Sequence, residues 1–124
     1  MDVVYGSRAL LSITIRRPQI FTQDSINILD VAEPHDFFGA ALTAWNFGKG
    51  TQADLAIGVP FESVQQTGRK VLGAAGAVNV IYGSPPGSTQ DHANGLTTVG
   101  NQLWTAAAAG FSLQDDARFG LALY

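Results

Sequence analysis

Along this chain the apolar residues recur at every second position. Phe38, Ala40, Leu42 and Ala44 alternate with Gly39, Ala41, Thr43 and Trp45; Leu55, Ile57 and Val59 alternate with Ala56 and Gly58; Val78, Val80 and Tyr82 alternate with Ala77, Asn79 and Ile81. A period of two puts successive side chains on opposite faces of an extended strand. Both faces are apolar or small, which suits a sheet packed between two others, because small side chains let the next sheet come close. Breakers separate the runs at Gly48-Lys49-Gly50, Pro60, Gly73 to Gly76, and Gly83-Ser84-Pro85-Pro86-Gly87. The spacing predicts strands over 38–45, 54–59, 76–82 and 100–105. Ala106 to Ala109 favours a turn of helix, but Gly110 ends it too soon for a helix to hold, so this stretch reads as a loop.

The pattern also repeats. Val3-Val4-Tyr5-Gly6-Ser7 returns as Val80-Ile81-Tyr82-Gly83-Ser84, Gln19-Ile20-Phe21-Thr22 as Gln102-Leu103-Trp104-Thr105, and Phe38-Gly39-Ala40-Ala41-Leu42 as Phe119-Gly120-Leu121-Ala122-Leu123. Three matches in the same order, at offsets of 77, 83 and 81 residues, indicate one repeating unit with loop insertions and deletions. The stretches 8–37 and 84–101 are more irregular and read as excursions at the edge of each unit.

Composition narrows the setting. Among the 124 residues, 46% are apolar and only 14% charged, too few charges to coat an ordinary isolated domain, so part of the surface is expected to face protein. The net charge is −3, and the basic residues are scattered (Arg8, Arg16-Arg17, Lys49, Arg69-Lys70, Arg118). Nucleic acid needs a concentrated basic face, and none is visible. Without cysteine there are no disulfides or thiolate metal sites. No apolar run is long enough for a membrane span, which speaks against membrane insertion, and Met1-Asp2-Val3-Val4-Tyr5 lacks the features of a signal peptide.

The run Phe38-Gly39-Ala40-Ala41-Leu42, then Asn46 to Asp54, then Leu55-Ala56-Ile57-Gly58-Val59-Pro60 resembles the FG-GAP repeat of integrin α-subunit β-propellers. Gly76-Ala77-Val78-Asn79-Val80-Ile81-Tyr82-Gly83 is similar to that family's third strand and Gln102-Leu103-Trp104 to its fourth. The resemblance implies an all-β fold of about one and a half four-stranded antiparallel blades. Residues 1–37 would end a preceding blade (strands 3 and 4), 38–105 would form a complete blade, and 106–124 would supply a loop and the first strand of a following one. Such a piece is incomplete alone, since bare apolar strand edges aggregate.

The family carries a calcium loop between its first two strands, and aligning on Asp54 puts Asn46 at the first ligand position, Gly48 at the third and Gly50 at the fifth. That leaves Asn46 and Asp54 as the side-chain ligands of a degraded loop with Lys49 in its middle. Calcium takes six to eight oxygens, several of them from carboxylates, so the loop is expected to be metal-free. Gly48-Lys49-Gly50-Thr51-Gln52-Ala53 also matches a dinucleotide fingerprint, but a strand follows where a helix N-terminus is needed. His35 and His92 lie in polar loops without a second ligand at metal spacing, and no Gly-x-Ser-x-Gly elbow accompanies them. Asp115-Asp116 reads as a solvated pair. Phe21, Trp45, Trp104 and Phe119 read as core anchors, with Trp45 the one most open to a binding role.

The expected function is therefore non-catalytic: a structural and interaction module of a propeller in cell-surface or extracellular adhesion or ligand binding. Its partner would be another protein or copies of itself completing the blades. FG-GAP repeats also accompany catalytic domains, so an accessory segment of a secreted hydrolase and a self-assembling homo-oligomeric fragment are the alternatives.

Overall fold

A computed structural model describes residues 1–6, 11, 17–65, 68, 71–85 and 95–124. The architecture is all-β, and no described residue is helical. In chain order the strands are β1 (Asp2–Val3), β2 (Gln19–Ile20), β3 (Ala41–Trp45), β4 (Asp54–Val59), β5 (Val64–Gln65), β6 (Val71–Leu72), β7 (Ala77–Gly83) and β8 (Leu96–Thr105). They form three antiparallel sheets: the pair β1-β2, a four-stranded sheet in the order β3-β4-β7-β8, and the pair β5-β6.

Differences from the expected strand limits have local causes. Strand β4 spans the predicted 54–59, but β3 begins only at Ala41. Phe37 and Gly39 both have positive φ and the Ala40 amide donates to the Phe37 carbonyl, so the chain turns there; the Gly39 amide reaches the Gly58 carbonyl of β4 at 3.0 Å, and regular pairing begins at Ala41. Strand β8 starts earlier than 100, at Leu96, and an irregularity between Val80 and Tyr82 lets β7 pair with this added length. The hairpin β5-β6 was not foreseen, because two-residue strands carry no periodicity. No strand forms among residues 106–124, where the amides of Asp116, Arg118 and Phe119 donate to the carbonyls of Gly73, Ala74 and Ala75 instead. Positive φ at Asp116, Arg118 and Gly120 keeps this segment in turns and out of extended backbone.

The sequence repeat is also a backbone repeat. In β1-β2, Asp2 pairs with Ile20 and Val3 with Gln19; at the repeat-equivalent positions of β7-β8, Asn79 pairs with Leu103 and Val80 with Gln102. The turn at 34–40 recurs at 115–121 with positive φ at His35, Phe37 and Gly39 matched by Asp116, Arg118 and Gly120. Its hydrogen bond recurs too, from Leu121 to Arg118. Left-handed backbone at a non-glycine residue costs about 1 kcal/mol, so its return at equivalent positions marks a conformation set by the packing around it.

Two apolar clusters lie on opposite faces of the four-stranded sheet. On one face Ile57, Ile81 and Leu96 pack with Phe21 and Ile28, and Met1, Val3, Phe38 and Leu55 close the cluster. The β1-β2 pair is thus layered on this face. It is also tied there by polar bonds: the Gln19 amide donates to the Leu96 carbonyl at 2.9 Å and accepts from the Leu96 amide at 2.9 Å, and the Tyr5 hydroxyl accepts from the same amide at 2.8 Å. On the other face Ala56, Val78, Val80 and Tyr82 pack with Phe119 and Leu123. Gly58 makes that contact close, because a Cβ there would sit 2.1 Å from the Gly120 carbonyl oxygen. Each Phe-Gly pair therefore lies against a sheet face: Phe38 on the first and Phe119 on the second.

Candidate functional site

The connection from β3 to β4 carries both residues expected as calcium ligands, Asn46 in the loop and Asp54 as the first residue of β4. Asp54 is buried at the start of β4; its Oδ2 accepts from the Phe47 amide at 2.8 Å and its Oδ1 from the Gly83 amide at 2.9 Å. Asn46 closes the turn from the other side, its Oδ1 accepting from the Gly48 amide at 3.0 Å and its Nδ2 donating to the Gly50 carbonyl at 2.8 Å. The Lys49 ammonium donates to the Gly100 carbonyl and lies 4.1 Å from the centre of the Tyr82 ring. Burial, and then the nearby Asp54 carboxylate, pushes the Tyr82 phenol up from its ordinary pKa. The donor set does not fit calcium: one carboxylate with both oxygens turned to backbone amides, one amide engaged in its own turn, and a cation in the loop.

Asp54 and Asn46 instead do the work of loop closure. Asp54→Ala would leave the Phe47 and Gly83 amides without their acceptor, at a cost of about 2 kcal/mol. Urea denaturation of wild type and variant, with and without millimolar calcium, checks both points. The expected loss is the same in either condition, and a calcium-dependent rise in wild-type stability that D54A abolishes would restore the metal reading.

A second polar cluster had no signal in the sequence. Glu33, Asp36 and Glu62 bring carboxylate oxygens within 4.8 Å of one another, with Asp36 and Glu62 buried and Glu33 exposed. The Glu33 amide donates to Asp36 Oδ2 at 2.5 Å, and the Gln23 side-chain amide donates to Glu62 Oε2 at 2.5 Å. Desolvation raises the Glu62 carboxyl to about 7 against the bond from Gln23, and the acids Asp30, Asp36 and Glu33 push the same way. Asp36 is also raised, chiefly by burial. The turn that follows β4 carries Glu62 to the 33–36 turn, where the Phe61 amide donates to the Asp36 carbonyl at 3.4 Å. The arrangement thus crowds two buried carboxyls that accept from Gln23 and from the Glu33 amide, with Glu62 changing its protonation near neutral pH.

The remaining sequence candidates separate. His35 is exposed with φ 77°, and His92 lies outside the described residues. Asp115 Oδ1 accepts from the Gly73 amide at 3.0 Å, whereas Asp116 Oδ1 pairs with Arg118 Nε at 2.9 Å, so these neighbours serve different partners. The glycine-bounded run 48–53 leads into β4, not a helix. Of the four aromatic anchors, Phe21 is buried in the core and Phe119 half-buried on the second face. Trp45 is not a core residue: it ends β3 and is 73% exposed.

Trp104 belongs to an open apolar groove of about 320 Å³ on the second face of the sheet, lined also by Thr43, Ala56, Val80, Phe119 and Leu123. The groove runs between the strands and the C-terminal segment. Comparison with family models, with curated proteins and with solved structures returns no match for this chain.

Proposed function

We propose that this chain is a non-catalytic structural and interaction segment of a β-propeller built from FG-GAP-type repeats, acting in cell-surface or extracellular adhesion or ligand binding. The observation that carries the reading is the recurrence of register: β1-β2 pairs as β7-β8 does at equivalent residues, and it lies face to face on the four-stranded sheet. Propeller blades are four-stranded antiparallel sheets stacked face to face in this manner. Low charge and small residues on the stacked faces support it, since such faces are made to be covered. In this reading Asn46 and Asp54 shape a loop at the blade edge, and partner recognition falls to exposed loop and strand-end residues such as Trp45.

Two experiments bear on it. Nuclear Overhauser contacts from Val3 to Ile57 and from Phe119 to Val78 are expected in solution, and their absence would remove the stacked-layer basis. Antibody labelling of intact cells that express the gene is expected to stain the surface; staining only after permeabilisation would overturn the adhesion setting.

A further inference from the structure

The contact between β1-β2 and the four-stranded sheet has two halves, and each half exists a second time on the surface. The first half is the side of β1-β2 that bears Met1, Val3 and Phe21, which packs into the cluster with Ile57 and Ile81. Its repeat equivalents are Val78, Val80 and Trp104, on the opposite face of the four-stranded sheet. Among the described residues no sheet covers them there. Residues Phe119 and Leu123 cover part of the face and leave the apolar groove open, so that Trp104 is 40% exposed while its counterpart Phe21 is 4% exposed.

The second half is the face on which Asn79 is fully buried beside Ile57 and Ile81. Asn79 pairs with Leu103, and the equivalents in β1-β2 are Asp2 and Ile20, on the side of that pair turned away from the four-stranded sheet. Ile20 is 72% exposed there. Among the described residues no charged side chain lines the groove, and Asp2 is the one charge on β1-β2. Asp2 stands at the start of β1, where a carboxylate can remain hydrated at the rim of a contact.

We propose that a second copy of this chain is the occupant of the groove: the Trp104 face of one copy takes the Ile20 side of β1-β2 of the next, repeating between molecules the layering that exists within one. The two surfaces differ, so the contact is head to tail and leaves one free half at each end of a dimer. It rests on the stacked-repeat reading only for its register. A chain that stays monomeric yet keeps the Val3–Ile57 contact would end this proposal and leave that reading standing.

The test is sedimentation equilibrium of the full chain from ~10 to ~300 μM, the range suited to a small interface. Wild type is expected to gain mass with concentration beyond a dimer. Ile20→Glu and Trp104→Glu alter exposed positions, so each should keep the wild-type far-ultraviolet spectrum while association weakens by at least about tenfold, as a buried unpaired charge requires. Mixing the two variants decides the geometry. The first keeps an intact groove and the second an intact β1-β2 side, so the mixture should form a one-to-one dimer that grows no further. Wild type that remains monomeric throughout, or a mixture that remains monomeric, would overturn the proposal.

Discussion

Gly76→Ala is expected to destabilise the protein by about 3 kcal/mol, against about 1 kcal/mol for Gly110→Ala. Both glycines have positive φ, 82° and 85°, so both substitutions carry the left-handed penalty of a Cβ. They differ in surroundings. A Cβ at Gly76 would lie 2.3 Å from the Phe119 carbonyl oxygen and 2.4 Å from its amide nitrogen, whereas no atom of the described residues lies within 4 Å at Gly110. Backbone cannot move aside as a side-chain tip can, so the 116–120 segment would have to lift off the sheet and uncover Val78 and Val80. Gly58→Ala isolates the clash, since its backbone lies outside the left-handed region while its Cβ would still meet Gly120. Urea midpoints of the three variants check the order: similar losses at Gly76 and Gly110 would mean that the C-terminal segment is not held against the sheet.

The protein should also become less stable as pH rises from 5 to 7.5. The folded state holds the Glu62 proton up to about 7, whereas the carboxyl of an unfolded chain releases it near 4.5. Between those values the folded state binds more protons than the unfolded state, so stability is fully present below the lower pKa and is lost as pH rises through the upper one. The shift corresponds to at most about 3 kcal/mol, less where water screens the cluster. Asp36, raised for the same reason, adds loss of the same sign. Glu62→Gln keeps the neutral shape and an acceptor for Gln23 but cannot ionise, so it should flatten the profile. Urea unfolding at pH 5 and 7.5 reads this directly; a wild type that gains stability over the interval, or a variant that keeps the wild-type slope, would contradict it.

These two effects differ in how far they could be foreseen. The close approach at Gly58 follows from the alternation in 54–59, which sets small residues on one face, although the neighbour that uses the space could not be named from it. The acidic cluster left no trace, because Glu33 and Asp36 are separated from Glu62 by two strands and a loop. No local pattern encodes that meeting, which follows from the turn after Pro60. Asn46 and Asp54 both lie at the connection from β3 to β4, but the orientation of their oxygens toward amides is a matter of backbone path, which no local pattern encodes. Trp45 shows the reverse failure: a strand-end aromatic looks like core until the sheet places it where it is exposed among the described residues.

By itself the sequence determined the all-β class, the bounds of β4 and the repeat, because a period of two and a run of breakers are local consequences of backbone geometry. It also determined that β1-β2 and β7-β8 are counterparts, since equivalent residues fold equivalently when their neighbours match. Only the tertiary structure decided which face each layer covers, which of two equivalent aromatics is buried, and where carboxyls crowd. Those properties depend on residues far apart in the chain arriving at one place, and burial, not residue type, sets what each side chain then does.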